Sequence, residues 1–233
     1  MWPKLESIST HLAVLGVVTV VCALTLATPT RAASPLKGKV SKGTYTSPRG
    51  LFSVRVPKAS NWAGVQFKVQ DVTDSSQTNY DLVAFYVKDF GEVFVASVRR
   101  IPKVALDNMA RDDPRNVLKN VSNKALGDWR QNFPEEPQVV EERFLSTPYG
   151  PGILRVYRAA KGSLLEMATG GSGRGFERFD VLIAVILVIR NDHYISAIAE
   201  NDAEALQKEP LTRSLEAFFS EIKVPDTPRF HKR

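Results

Sequence analysis

The 233-residue chain has one cysteine, Cys22. It lies inside the uncharged run Leu12 to Ala27 (LAVLGVVTVVCALTLA), behind Val20 and Val21 and ahead of more apolar residues. A lipidated cysteine follows a small residue at the end of such a run, so Cys22 reads as a small hydrophobe. Cleavage of this leader leaves a domain without cysteine. That excludes disulfides, a thiol nucleophile and thiolate metal sites. Histidine is nearly as scarce. His11 is in the leader and His231 in the tail, so only His193 belongs to the body. Paired histidines are missing, which excludes a zinc site of the usual kind. A serine–histidine–aspartate triad would have to use His193, and no Gly-x-Ser-x-Gly elbow supports one. A histidine at a strand turn beside Asp192 is ordinarily just exposed. The acidic pairs Asp71/Asp74 and Asp112/Asp113 lack calcium-loop spacing. The loop Gly170 to Gly175 (GGSGRG) has no Lys-Ser/Thr and precedes a strand, so it is a hairpin tip rather than a phosphate cradle. No basic stripe with interleaved aromatics is visible, and nucleic acid is excluded.

What is present begins with an address. Lys4, the uncharged run, and the small residues Thr30, Ala32 and Ala33 describe a secretory signal. The run is shorter than the roughly 20 residues of a membrane-spanning helix. Cleavage is expected after Ala32 or Ala33, with Ala32 favoured because Thr30 then stands three residues back from the cut site. An uncleaved signal acting as an anchor is the alternative. The signal takes residues 1–32, a flexible linker 33–43, one domain 44–224 and a basic tail 225–233. About 200 residues are enough for one sizeable core. The net charge is +6, of which Lys4 and Arg31 against Glu6 supply +1. This mild excess suits a solvated surface, an acidic partner or an anionic membrane surface.

Period-two alternation predicts strands at 51–56, 65–69, 82–87, 93–98, 139–146, 153–158 and 194–199. Val181 to Ile189 is nine apolar residues in a row, the pattern of a strand covered on both faces. Between these, Val117, Leu118, Val121, Ala125, Trp129 and Phe133 recur at steps of three and four. They predict a helix capped by Asp113, with Pro114 at its first position and Val121, Ala125 and Trp129 toward the sheet. Leu211, Leu215, Phe218, Phe219 and Ile222 predict a final helix. Strands, helix, strands, helix is the order of an α+β protein, with helices covering a mostly antiparallel sheet.

Chemistry is thinly signalled. Glu141 and Glu142 are adjacent on a strand and point to opposite faces, so they form no catalytic pair. Paired carboxylates meet only in space, which keeps a hydrolase open. Asn120-Val121-Ser122 matches a glycosylation sequon on the predicted helix. Trp62, Tyr80, Phe90 and Tyr149 fall in predicted loops or turns, where aromatics serve as binding anchors or cap a core. Trp62, Tyr149 and Arg174 are the candidate partner-binding residues. No catalytic, cofactor or metal residue is assigned.

The segment Tyr45 to Pro57 (YTSPRGLFSVRVP), followed by Trp62, resembles the opening of PsbP-like and Mog1-like domains. The central helix and the ending through Tyr194 to Ala199 and Leu215, Phe218 and Phe219 are similar too. The resemblance spans most of residues 44 to 224. It implies an α/β/α sandwich with a central antiparallel sheet. It also implies a non-enzymatic accessory or scaffold protein, often bound to a larger membrane complex. No manganese or calcium residue carries over, and the insertion Gly170 to Gly175 departs from the pattern. The expectation is an exported, periplasmic, lumenal or secreted protein that docks an unknown protein partner in the cell envelope. A small-ligand carrier, or a hydrolase with a carboxylate site, is the alternative.

Overall fold

A computed structural model describes residues 36–58, 66–71, 80–87, 92–130, 133, 135–160, 163–164, 180–202 and 208–226. The leader with Ala32 and Ala33, the segments holding Trp62 and Phe90, the Gly170 to Gly175 loop with Arg174, and the tail from 227 lie outside the described residues. So do the side chains of Ala125 and Trp129.

Alternating and wholly apolar stretches become ten strands. In chain order these are β1 (Lys39–Ser41), β2 (Thr44–Thr46), β3 (Ser53–Arg55), β4 (Lys68–Asp71), β5 (Tyr80–Val87) and β6 (Glu92–Arg100), then β7 (Gln138–Thr147), β8 (Gly150–Ala159), β9 (Val181–Arg190) and β10 (His193–Asp202). The helices are α1 (Lys103–Met109), α2 (Pro114–Arg130) and α3 (Lys208–Ser220). A seven-stranded sheet runs β4-β5-β6-β10-β9-β8-β7, with every pairing antiparallel. A small antiparallel sheet, β1-β2-β3, accompanies it.

The large sheet has a packed layer on each face, because alternate residues of each inner strand are apolar on both sides. On one face Phe85, Phe94, Ile186 and Val188 meet Leu211, Leu215, Phe218 and Phe219 of α3 and Tyr45, Phe52 and Val54 of the small sheet. On the other, Leu82, Val95, Tyr157, Ile183 and Val185 form a second core with Phe133 and Leu164. Leu118 of α2 packs there on Ile153 and Leu187. The fold is therefore α+β, an antiparallel sheet with helices on both faces. No described helix is long and apolar enough to cross a membrane.

Helix α2 starts where its cap places it. Asp113 Oδ1 accepts the backbone N–H of Arg115 at 2.7 Å and of Asn116 at 3.3 Å, and Pro114 takes the first position. Three details differ from the sequence pattern. Strand β1 occupies Lys39–Ser41, inside the stretch read as linker. Lys42 and Gly43 both have positive φ (49° and 74°), and this turn folds β1 back on β2. Strand β4 comes later than its alternation suggested, at Lys68–Asp71. Helix α1 went unseen because it has only seven residues and none of them is buried.

Candidate functional site

A buried polar side chain left unsatisfied marks a site. Arg49 is carried by the turn Ser47–Gly50, closed by Gly50 N–H to Ser47 O at 2.9 Å with Gly50 at φ 69°. The turn aims the guanidinium at Asp81 of β5, Nη1 to Oδ1 at 2.6 Å, and Asp81 is 0% exposed. Tyr45 donates its hydroxyl to Asp71, and burial, reinforced by Asp71, holds that phenol far above its ordinary range. Both bonds tie the small sheet to the large one. Glu200, buried in β10, accepts from Ser163 Oγ and from Leu164 N–H at 2.6 Å. Arg155 of β8 donates to Glu142 Oε2 at 2.6 Å and to Asn123 of α2. Lys119 reaches the same carboxylate at 2.6 Å, and its hydrogen bond, with those from Arg155, holds Glu142 below the usual carboxylate range. These groups hold layers together. Each is spent on structure.

His193 is placed differently from the exposed turn residue that the sequence suggested. It is the first residue of β10, 0% exposed, between Arg190 and Arg100 in the ladders. Burial lowers its pKa, while Asp192, with Nδ1 to Oδ1 at 3.4 Å, acts weakly the other way. A neutral ring closed off from solvent suits a core residue.

Tyr149 stands in the β7–β8 turn, half-buried. Its hydroxyl donates to Ile222 O at 2.5 Å, its ring stacks on Phe219 edge-on at 6.0 Å, and the Arg190 guanidinium lies 5.5 Å from the ring centre. It anchors the chain after α3, with Val224 N–H also donating to its hydroxyl at 3.3 Å. Of the three candidate binding residues it is the only one described.

A groove of about 360 Å³ is where charge remains unspent. It opens between the chain leaving β3, the start of β6, and α3. Arg55 and Lys58 form one wall, Glu92 and Glu221 bring carboxylates, and Phe94 and Phe218 form an aromatic floor with ring centres 5.1 Å apart. Among the described residues none of the four charged side chains forms an ion pair within the chain. Burial alone raises the Glu92 pKa, since no cation neutralises it. Alternation along β6 explains the placement. Phe94 points to the α3 face, and Glu92, two residues earlier, shares that face at the sheet's rim. The one signal of Glu92 in the sequence was a carboxylate on the apolar face of a strand. Lys58 leads directly into the segment that contains Trp62. Among the described residues no three metal-ligating side chains cluster.

No family model and no curated protein matches the chain. Among solved structures it is similar to the Saccharomyces cerevisiae Ran-binding protein Mog1p, with 11% identity and a TM-score of 0.41 over 81% of this chain and 96% of that one. It is also similar to cyanobacterial PsbP (CyanoP) from Synechocystis sp. PCC 6803, with 13% identity and a TM-score of 0.44 over 81% and 97%. These are distant likenesses of chain path, and neither assigns a role to a residue here.

Proposed function

We propose that the chain is an exported, non-enzymatic accessory protein that docks a protein partner in the cell envelope. The groove carries this reading. A half-buried carboxylate without a counter-ion lowers stability and is retained where a ligand supplies the missing charge. Charges of both signs around an aromatic floor are the composition of a docking pocket, where rings anchor and charges orient. Trp62, Tyr149 and Arg174 are proposed to extend the contact. Export rests on the leader pattern of residues 1–32. The groove's volume favours one second reading, since small-molecule sites begin near about 300 Å³: carriage of a small zwitterionic ligand.

The test is crosslinking in native cells with a C-terminal tag, comparing the wild type with Glu92→Lys and with Arg55→Glu/Lys58→Glu. One reproducible envelope complex, lost in both variants at unchanged melting temperature, is the expected result. A complex indifferent to both variants removes the groove from the interface. A partnerless wild type turns the reading toward ligand carriage.

A further inference from the structure

The outer edge of β7 is unlike the rest of the sheet. Among the described residues no strand pairs with it, and all ten of its residues are exposed or half-buried. Three of them are apolar and open to solvent: Val139 at 51%, Val140 at 44% and Phe144 at 37%. The opposite edge, β4, is four residues long and has no such side chain. A long edge with free N–H and C=O groups is a template for another strand, and proteins ordinarily block it with charges and bulges. Here both devices are present, but they leave one register open.

The bulge lies between Val139 and Glu141 in the β7–β8 ladder. Beyond it the faces alternate. Glu141 pairs with Val156, which belongs to the α3-side core, and Glu142 pairs with Arg155 on the α2 side. The stretch Val140-Glu141-Glu142-Arg143-Phe144 reads apolar, acidic, acidic, basic, apolar. Turned antiparallel about Glu142, it complements itself. Val140 comes opposite Phe144 and Glu141 opposite Arg143, each twice. Within one copy Arg143 Nε is already 3.2 Å from Glu141 Oε1, so pairing would extend that contact into a four-residue ladder. Only Glu142 would meet its own kind, and there each carboxylate keeps Lys119 and Arg155. A one-residue slip in either direction brings Glu141 or Arg143 opposite an apolar side chain. We propose that β7 pairs with β7 of a second copy of this chain, antiparallel about Glu142, joining two seven-stranded sheets into one. The observation is independent of the groove and of the partner proposed there.

An edge of this length buries less than a standard interface, so the dimer is expected to be reversible, with a dissociation constant on the order of micromolar. Sedimentation equilibrium of the full chain, in a Cys22→Ala background, reads it directly. Val140→Asp and Glu141→Lys each weaken association about tenfold or more, because the first sets a carboxylate against the Phe144 ring and the second a cation against Arg143 of the other copy. Arg143→Glu with Glu216→Lys, added to Glu141→Lys, recovers most of the loss, since Arg143 and both of its carboxylate partners, Glu141 and Glu216 of α3, are then inverted together. The register has its own readout. Glu142→Cys is the one position that faces itself and gives a disulfide-linked dimer under mild oxidation, while Ser146→Cys stays monomeric. All these side chains are exposed or half-buried, and unchanged circular dichroism verifies the fold. A wild type that stays monomeric into the high micromolar range overturns the proposal. So does a dimer indifferent to Val140→Asp, a charge swap that recovers nothing, or equal crosslinking at positions 142 and 146. Protection of β7 only when another protein is bound overturns it in favour of that partner.

Discussion

Strands β9 and β7 belong to one sheet, separated only by β8, and both have ten residues. Strand β9 reads VLIAVILVIR and is buried nearly throughout. Strand β7 reads QVVEERFLST and is exposed nearly throughout. Both hydrogen-bond to β8, so local backbone preference does not separate them. What separates them is the count of neighbours. An inner strand has a layer on each face and a strand on each side, and its sequence is selected for packing. An edge strand keeps one side open, and its side chains are free to specify what binds there. Stability concentrates in β9, and specificity can be written on β7 and on the rim that holds Glu92.

Asp substitutions give the largest contrast. Val185→Asp places an unpaired charge inside the second core, at a side chain 1% exposed, and is expected to cost several kcal/mol and prevent folding. Val139→Asp on β7 is expected to change stability by less than about 0.5 kcal/mol. Thermal melts followed by circular dichroism compare them, and a soluble, cooperatively melting Val185→Asp would break the distinction.

Next is the bond between the two sheets. Arg49→Met leaves Asp81 buried without its cation, an expected loss of about 3–5 kcal/mol. Urea titration measures it, and Arg49→Met/Asp81→Leu is expected to recover most of it by removing the stranded charge. A loss under 1 kcal/mol would mean that the small sheet is held by its apolar contacts and the Tyr45–Asp71 bond without need of this pair.

The smallest effect is a pH dependence at His193. Its folded pKa lies below the ordinary value near 6.5, because burial disfavours the charged ring. Above that pH both states are neutral there and the full stability is present. As pH falls through 6.5 the unfolded chain takes up a proton that the folded chain refuses, and stability drops. Glu142, with its lowered pKa, acts in the same direction, but only in the lower, carboxylate range. Between pH 8 and pH 5, His193→Gln is expected to flatten the decline in the urea midpoint. Equal declines in both chains would place the ring in solvent.

Much of the architecture was legible because it follows periodicity. The Asp113–Pro114 start of α2, the α3 stripe of Leu211, Leu215, Phe218 and Phe219, and the inner strand at 181–189 are set by local spacing. Helix α1 was illegible because it is short and none of its residues is fully buried. Strand β1 was illegible because a three-residue strand is defined by its partner. The candidate site was less legible still. Tyr149 looked like a free anchor in a glycine-rich turn, yet Ile222, 73 residues later, takes its hydroxyl. Glu92 looked like any rim carboxylate until α3 came over it.

By itself, then, the sequence determined the order of the long strands, the two amphipathic helices, the buried strand and the small choice of chemistries, since these rest on residue type and near-neighbour spacing. Only the tertiary structure decided which carboxylates are neutralised and which are not. Charge compensation is a matter of ångströms across the fold. Glu142 meets Lys119 and Arg155, while among the described residues Glu92 meets no cation.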